Sequence, residues 1–381
     1  MSMIDGRAIY TPEHHAFRDM VRRFFADEIT PNIAAWEKQG MVPREFWRKC
    51  GAQGLLCPTL PEEYGGPAGD FLYQCVICEE LGYSGQMSTT LQTHNDIIAP
   101  YIEMLGSEAQ KRQWLPRMVT GEVIGAIALT EPGAGSDLKA MQTRARRDGD
   151  DFIISGQKTY ITLGHSADVI IVACKTSPEK GGNGVSLILV EADRAGFRRG
   201  RLLEKMGMKG SDTAELFFDE VRVPASNLLG QLDGGFKQIM SEIPKERLSI
   251  ATCAMGASQK AFDITVAWVR ERQVFGKPLG DFQNTQFKLA ELKTQLAAGW
   301  ALLDSDIVKL MNKQLSTTEA AMAKLFCTEL QCRMVDDCLQ FFGGAGYMAD
   351  MPIAHMYVDA RVRRIAGGSS EIMKKLIARE L

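Results

Sequence analysis

Apolar residues recur at helical spacing at both ends of the chain and at strand spacing in the middle. Thr11-Pro12-Glu13 supplies a hydroxyl cap, proline at the first helical position and an early acid. Phe17, Met20, Val21, Phe24, Phe25 and Ile29 follow on one helical face, and Pro31 ends the run. Further helices are predicted near 43–54, 70–83 and 108–118, separated by Pro58, Pro61 and Gly65-Gly66-Pro67. After about residue 120 the period changes. Segments 142–147 and 152–155 flank Asp148-Gly149 and predict a hairpin about an Asp-Gly turn. Segments 169–173, 185–190 and 214–223 are further strands rich in β-branched or aromatic residues.

From Gly234 helical spacing returns. Ser316-Thr317-Thr318-Glu319 is a capping box ahead of a long helix reaching about Phe342, with Leu325, Phe326, Leu330, Met334 and Leu339 on its expected buried face. The order helical, β, helical, without β-α-β alternation, predicts an α+β protein rather than a doubly wound sheet. The expected domains are an N-terminal helical domain (1–119), a middle β-barrel or sandwich domain (120–226) and a C-terminal helical bundle (227–381).

Composition narrows the function. At 381 residues, 45% hydrophobic and 24% charged, the chain can bury a substantial core. Its 44 basic and 47 acidic residues give a net charge of −3 and no electrostatic reason to expect nucleic acid or an anionic membrane as partner. No apolar run is long enough to span a bilayer, and the stretch from Met1 to Arg7 lacks the apolar core of a secretory signal. The nine cysteines are scattered. Cys75 and Cys78 form a C-x-x-C, but Leu72, Val76 and Ile77 around them read as a core helix, and no second pair or ligand histidine accompanies them. No metal is expected, and reduced thiols in a cytoplasmic protein are the simplest reading.

The chemistry concentrates in Ala128-Leu129-Thr130-Glu131-Pro132-Gly133-Ala134-Gly135-Ser136-Asp137. Gly133 and Gly135 allow close approach to the backbone, and Thr130 and Ser136 offer short hydrogen-bonding arms beside N–H groups. That set suits a phosphate-bearing or heteroaromatic ligand; taken alone it also suits a tight, capped surface turn. Gly344-x-Gly346-x-x-Ala349 formally fits a dinucleotide fingerprint, but it follows a helix rather than a strand and lacks the required context.

Four more segments accompany the first: Gly156-Gln157-Lys158-Thr159-Tyr160-Ile161-Thr162; Arg272-Gln273-Val274-Phe275-Gly276-Lys277 with Gln283; Gln340-Phe341-Phe342-Gly343-Gly344-Ala345-Gly346-Tyr347; and Ile365-Ala366-Gly367-Gly368-Ser369-Ser370-Glu371. In this order and spacing, over nearly the whole chain, they resemble the acyl-CoA dehydrogenase family of flavoproteins. The resemblance implies an FAD enzyme of fatty-acid β-oxidation that forms a trans-2-enoyl thioester from an acyl-CoA substrate and passes electrons to an electron-transfer flavoprotein. It also implies a homotetramer.

Residue by residue, the resemblance places Ile127, Leu129 and Thr130 along the flavin, with Tyr160, Ile161 and Thr162 near the ring. Ser136 falls near the pyrophosphate or the CoA portion. Arg272, Phe275, Gln283, Gln340, Gly343 and Gly344 resemble residues that a neighbouring subunit lends to the FAD tail, and Ser369 and Glu371 lie near the cofactor. Lys237, Pro244, Arg247 and Gly368 are expected at the substrate. Without the other motifs, Tyr160 reads equally as core and Arg272 as a surface ion pair.

Many relatives carry the catalytic base just before the Gly-Thr of the terminal motif. That position is Gly367 in this chain, which has no side chain to act. Glu246, in Pro244-Lys245-Glu246-Arg247-Leu248, resembles the alternative base of the long-chain and isovaleryl-type members, which reaches the same space from another helix. Gly367 keeps a backbone N–H for the thioester oxygen. Burial beside substrate is expected to raise the Glu246 pKa, with Arg247 opposing. Ala366 stands where relatives commonly have tyrosine, which implies tolerance of a branched acyl group, and segment 86–105 is expected to line the acyl tunnel as a helix. An oxidase, a carrier-protein-thioester dehydrogenase and a catalytically silent flavin- or acyl-CoA-binding protein remain as alternatives.

Overall fold

Thr11 caps helix α1 (Pro12–Glu28) in the computed structural model, which describes residues 3–381; Met1 and Ser2 of the amino-terminal stretch lie outside the described residues. The Thr11 hydroxyl accepts from the His14 N–H, and the His14 ring accepts from the Thr11 N–H. Helices α2 (Ile33–Gln39), α3 (Arg44–Ala52), α4 (Phe71–Tyr83), α5 (Ala99–Leu105) and α6 (Glu108–Val119) complete the first part of the chain.

The helix expected over 86–105 is instead broken. A 3₁₀ turn (Met87–Thr89), a left-handed Thr90 (φ 54°), a single helical turn (Leu91–Thr93) and a π turn (His94–Ile98) precede α5. The widened turn carries polar side chains inward. Asn95 there donates to the Leu55 carbonyl at 2.8 Å and accepts from the Cys57 N–H at 2.9 Å. Such tertiary bonds compete with the local period and leave no periodic trace in sequence.

The middle segment forms one eight-stranded sheet from β1 (Gly125–Ala128), β2 (Arg144–Asp148), β3 (Asp151–Thr162), β4 (Val169–Lys175), β5 (Val185–Glu191), β6 (Phe197–Leu202), β7 (Thr213–Pro224) and β8 (Leu228–Leu229). The strand order is β6-β7-β3-β2-β4-β5-β8, with β1 parallel to β4. β4 and β5 are almost wholly buried, which fits their continuous apolar runs. The hairpin between β2 and β3 differs by one residue from expectation. Asp148 pairs with Asp151, so the loop is Gly149-Asp150, with Gly149 at φ +60°. The left-handed position takes the glycine and leaves Asp148 in the ladder.

The last part comprises α7 (Gly235–Glu271), a small hairpin of β9 (Gln273–Val274) and β10 (Lys277–Pro278), α8 (Gln283–Met311), α9 (Thr317–Phe342), α10 (Pro352–Ala360) and α11 (Ser370–Ile377). The Ser316–Glu319 box caps α9 reciprocally. Leu330 and Met334 are fully buried, but Leu325, Phe326 and Leu339 are only half-buried. The fully buried positions of α9 include small residues, Ala320, Ala323 and Cys327 among them.

Helices α4 and α7 cross with backbones almost touching. A Cβ on Gly82 would lie 2.2 Å from the Cys253 carbonyl oxygen, and one on Gly256 would lie 2.3 Å from that of Glu79. A buried ionic network on α4 ties that helix to α1 and α8. Glu79 and Glu80 of α4 receive Arg18 at 2.7 and 3.0 Å, and Arg7 bridges Glu79 to Asp304 of α8. All nine cysteines are free thiols, and among the described residues no helix is long and apolar enough to cross a membrane and no metal-ligand cluster occurs.

Candidate active site

The first two motifs meet through a buried ion pair. Lys158, fully buried on β3, donates to Glu131 Oε1 at 2.8 Å and to the Leu129 carbonyl at 3.1 Å. Glu131 also accepts the Gln142 and Thr143 N–H groups, and the Thr159 N–H donates to the Thr130 carbonyl at 3.0 Å. Burial lowers the Lys158 pKa; it acts against the Glu131 carboxylate too, but the Lys158 charge overrides it and holds Glu131 below the usual carboxylate range. Leu129 and Thr130 are thereby held against β3.

On β3 the register with β7 shifts between Lys158 and Ile161, and Tyr160 sits in this irregularity at φ +58°, 69% exposed. Thr162 is half-exposed two residues on. Ile161, expected beside the cofactor, is 3% exposed and packs into the core, because strand neighbours face opposite sides. Ile127 and Leu129 are half-buried, Ser136 is exposed, and a Cβ on Gly133 or Gly135 would meet nothing within 4 Å. The Lys139 ammonium lies 5.8 Å from the Phe236 ring centroid, bringing this loop beside the start of α7, where Lys237 is exposed. An outward aromatic, two hydroxyls and open backbone around paired glycines fit a flat heteroaromatic ring with a phosphate-bearing tail.

On α7, Glu246, Ser249, Ile250 and Cys253 share one face. The Glu246 carboxyl is pushed up to about 7, first by burial and also by Glu242 and Asp96; the Tyr101 hydroxyl and Arg247 oppose this. Tyr101 donates to the Ile239 carbonyl at 3.1 Å. Asp96, from the π turn, is likewise pushed up to about 7, chiefly by burial, and its Oδ1 has no partner. Arg247 is buried with Nε and Nη1 unpartnered, and burial brings its pKa down to about 10 against the pull of Glu246. Pro244 is half-buried in the same helix.

The terminal loop lies over this face. Gly367 has φ +66°, and a Cβ there would meet Ile250 Cδ1 at 2.4 Å, so position 367 sits against the residue one turn beyond Glu246. Ala366 and Gly367 are exposed, and Gly368 (φ +95°) and Ser369 are half-buried. Glu371 is exposed. Its own backbone N–H and Ser369 hold its carboxyl below the usual range, the opposite of what a base for a weakly acidic proton needs.

The third and fourth motifs converge at the far end of α7. Trp268 Nε1 donates to the Phe341 carbonyl at 3.1 Å, and its ring stacks on Phe342 at 4.8 Å. Arg272, Gln283, Gln340, Gly343 and Gly344 are exposed there. Phe275 and Gly276 take left-handed φ values of 50° and 83° at the β9–β10 turn, as a two-residue type I′ loop requires, and leave Phe275 94% exposed.

Sequence reasoning missed the Glu131–Lys158 pair, Asp96, Tyr101 and Lys324. For Lys324 a signal existed: a lysine among Ala320, Ala323 and Cys327 on the buried face of a helix. For Asp96 and Tyr101 the π turn removed the period that would have pointed them inward.

The N-terminal, middle and C-terminal domain models of acyl-CoA dehydrogenase match residues 11–122, 126–221 and 233–381. The long-chain specific acyl-CoA dehydrogenase of Sus scrofa mitochondria is 48% identical over 98% of this chain and 88% of its own length. The isovaleryl-CoA dehydrogenase of Oryza sativa mitochondria is 33% identical over 98% of this chain and 92% of its own. The crystal structure of an acyl-CoA dehydrogenase from Geobacillus kaustophilus, 46% identical, superposes with a TM-score of 0.95 over 98% of this chain and 99% of that one. The chain therefore belongs to the acyl-CoA dehydrogenase family and is an oxidoreductase.

Proposed function

We propose that the protein catalyses FAD-dependent α,β-dehydrogenation of an acyl-CoA thioester to the trans-2-enoyl-CoA, with Glu246 as the base. The observation that carries this reading is a glutamate poised at about 7 on the face of α7 that the side-chain-free Gly367 covers. Thr130, Tyr160 and Thr162 would hold the flavin, which when bound supplies the acceptor for the β-hydride. Glu246 takes the α-proton, and the Gly367 N–H donates to the thioester oxygen as negative charge develops on it. Arg247 limits how far the Glu246 pKa rises, so the carboxylate is available near neutrality. Arg272, Phe275, Gln283, Gln340, Gly343 and Gly344 extend the FAD site of a neighbouring subunit in a homotetramer, and an electron-transfer flavoprotein reoxidises the enzyme.

Anaerobic titration with straight and branched acyl-CoAs, read at the visible flavin band, tests this. Bleaching is expected, with branched chains accepted because Ala366 leaves room. A protein that cannot be loaded with FAD, or a loaded one that no acyl-CoA bleaches, overturns the assignment.

The pH dependence follows from Glu246. The base must be ionised, so kcat/KM rises with pH through about 7. Tyr101→Phe removes a group that favours the carboxylate and moves this limb to higher pH. A limb unmoved in that variant would remove Tyr101 from the account. Folding stability runs the other way. The folded pKa lies above the ordinary 4.5, so the folded state holds the proton across that window and this contribution fades as pH rises towards 7.

A further inference from the structure

Lys324, in the middle of α9, has 0% exposure and makes no ion pair among the described residues. Its one hydrogen bond is a 2.7 Å donation to the Gly368 carbonyl oxygen. Burial brings its pKa down to about 8; Arg247 and Arg363 nearby push the same way, against Glu329 and Glu371. Five residues further along α9, Glu329 Oε1 accepts from the Ser370 hydroxyl at 2.6 Å and from Arg364 Nε at 2.8 Å. Helix α9 therefore grips the terminal loop on both sides of Ser369.

Burying an ammonium against a single carbonyl, with two guanidinium groups close by, costs folding free energy; a methionine of similar length would fill the same space without it. The arrangement makes sense if the carbonyl it holds has a task. Gly367 and Gly368 are consecutive left-handed residues with no side chains to anchor their peptide planes. A charge-assisted hydrogen bond supplies that anchor.

We propose that Lys324 is a positioning residue for the thioester: by holding the Gly368 carbonyl it fixes the glycine loop and so the direction of the Gly367 N–H. This rests on the dehydrogenase reading above. The Lys324 and Arg247 charges also place positive potential beside the oxygen on which the enolate charge grows.

The test compares FAD-loaded wild type, Lys324→Met and Lys324→Arg. The first readout is the isotope-edited infrared stretch of a bound 2-enoyl-CoA labelled with ¹³C at the thioester carbonyl. Donors lower that frequency, so in Lys324→Met it is expected to move back towards the free thioester. The rate of flavin bleaching is expected to fall roughly tenfold or more, the scale of one lost alignment contact, with KM for acyl-CoA within about twofold. An unshifted stretch and unchanged bleaching in a folded Lys324→Met protein overturn the proposal. If that variant does not fold, Lys324→Arg decides: it keeps donor and charge but displaces the loop, and a wild-type stretch and rate there overturn it equally. Failure of the underlying reading looks different, since wild type itself would then not bleach.

Discussion

Glu246→Gln is expected to yield a folded, FAD-loaded enzyme in which acyl-CoA bleaches the flavin roughly 10³-fold more slowly, within the span a positioned general base contributes. The amide keeps the shape of the side chain, and removing an acid that burial already disfavours leaves thermal stability unchanged or slightly raised. Substrate affinity is expected to hold, because the change falls on the proton transfer and not on the CoA contacts. Stopped-flow absorbance under anaerobic conditions, with a thermal melt alongside, gives both numbers. Bleaching at the wild-type rate would transfer the role to another carboxylate, and Asp96 is the next to substitute. Its carboxyl is also pushed up to about 7, and it contributes to the field at Glu246.

Lys158→Met is expected to damage fold and cofactor site together. It leaves the Glu131 carboxylate, 4% exposed, without its cation, and breaking a buried pair in this way costs about 3–5 kcal/mol. Leu129 loses its hydrogen bond from the ammonium at the same time, so the strand end expected to lie along the flavin loosens. Urea unfolding and the FAD-to-protein ratio measure the two effects. The double variant Glu131→Gln/Lys158→Met is expected to recover much of the stability, since no charge is then stranded. Equal loss in single and double variants would show that packing, not charge, dominates.

The parts of this protein that follow a local period were legible. The Thr11 and Ser316 caps, the long α9 and the apolar β4 and β5 appear where the pattern puts them. The parts set by tertiary contact were not. The broken segment ahead of α5 answers to Asn95 reaching back to residues 55 and 57, and Leu325 and Phe326 are only half-buried where their period predicted core. The site divides in the same way. Glu246 is singled out in the sequence by the glycine at 367, whereas the burial of Lys158 and Lys324 is set by the fold around them. Ile161 lies with its side chain in the core, since its strand neighbours face the other side.

The glycine at 367 has a consequence for experiment. Where one residue supplies both the carboxylate and the N–H beside the reacting carbons, any substitution of the acid also disturbs the backbone donor. In this chain the two groups proposed for these tasks sit on different segments, Glu246 on α7 and the Gly367 N–H on a loop held from α9. On the proposed reading, acid strength and carbonyl polarisation become independent variables, and a double-mutant cycle between Glu246 and Lys324 measures whether the two act in concert.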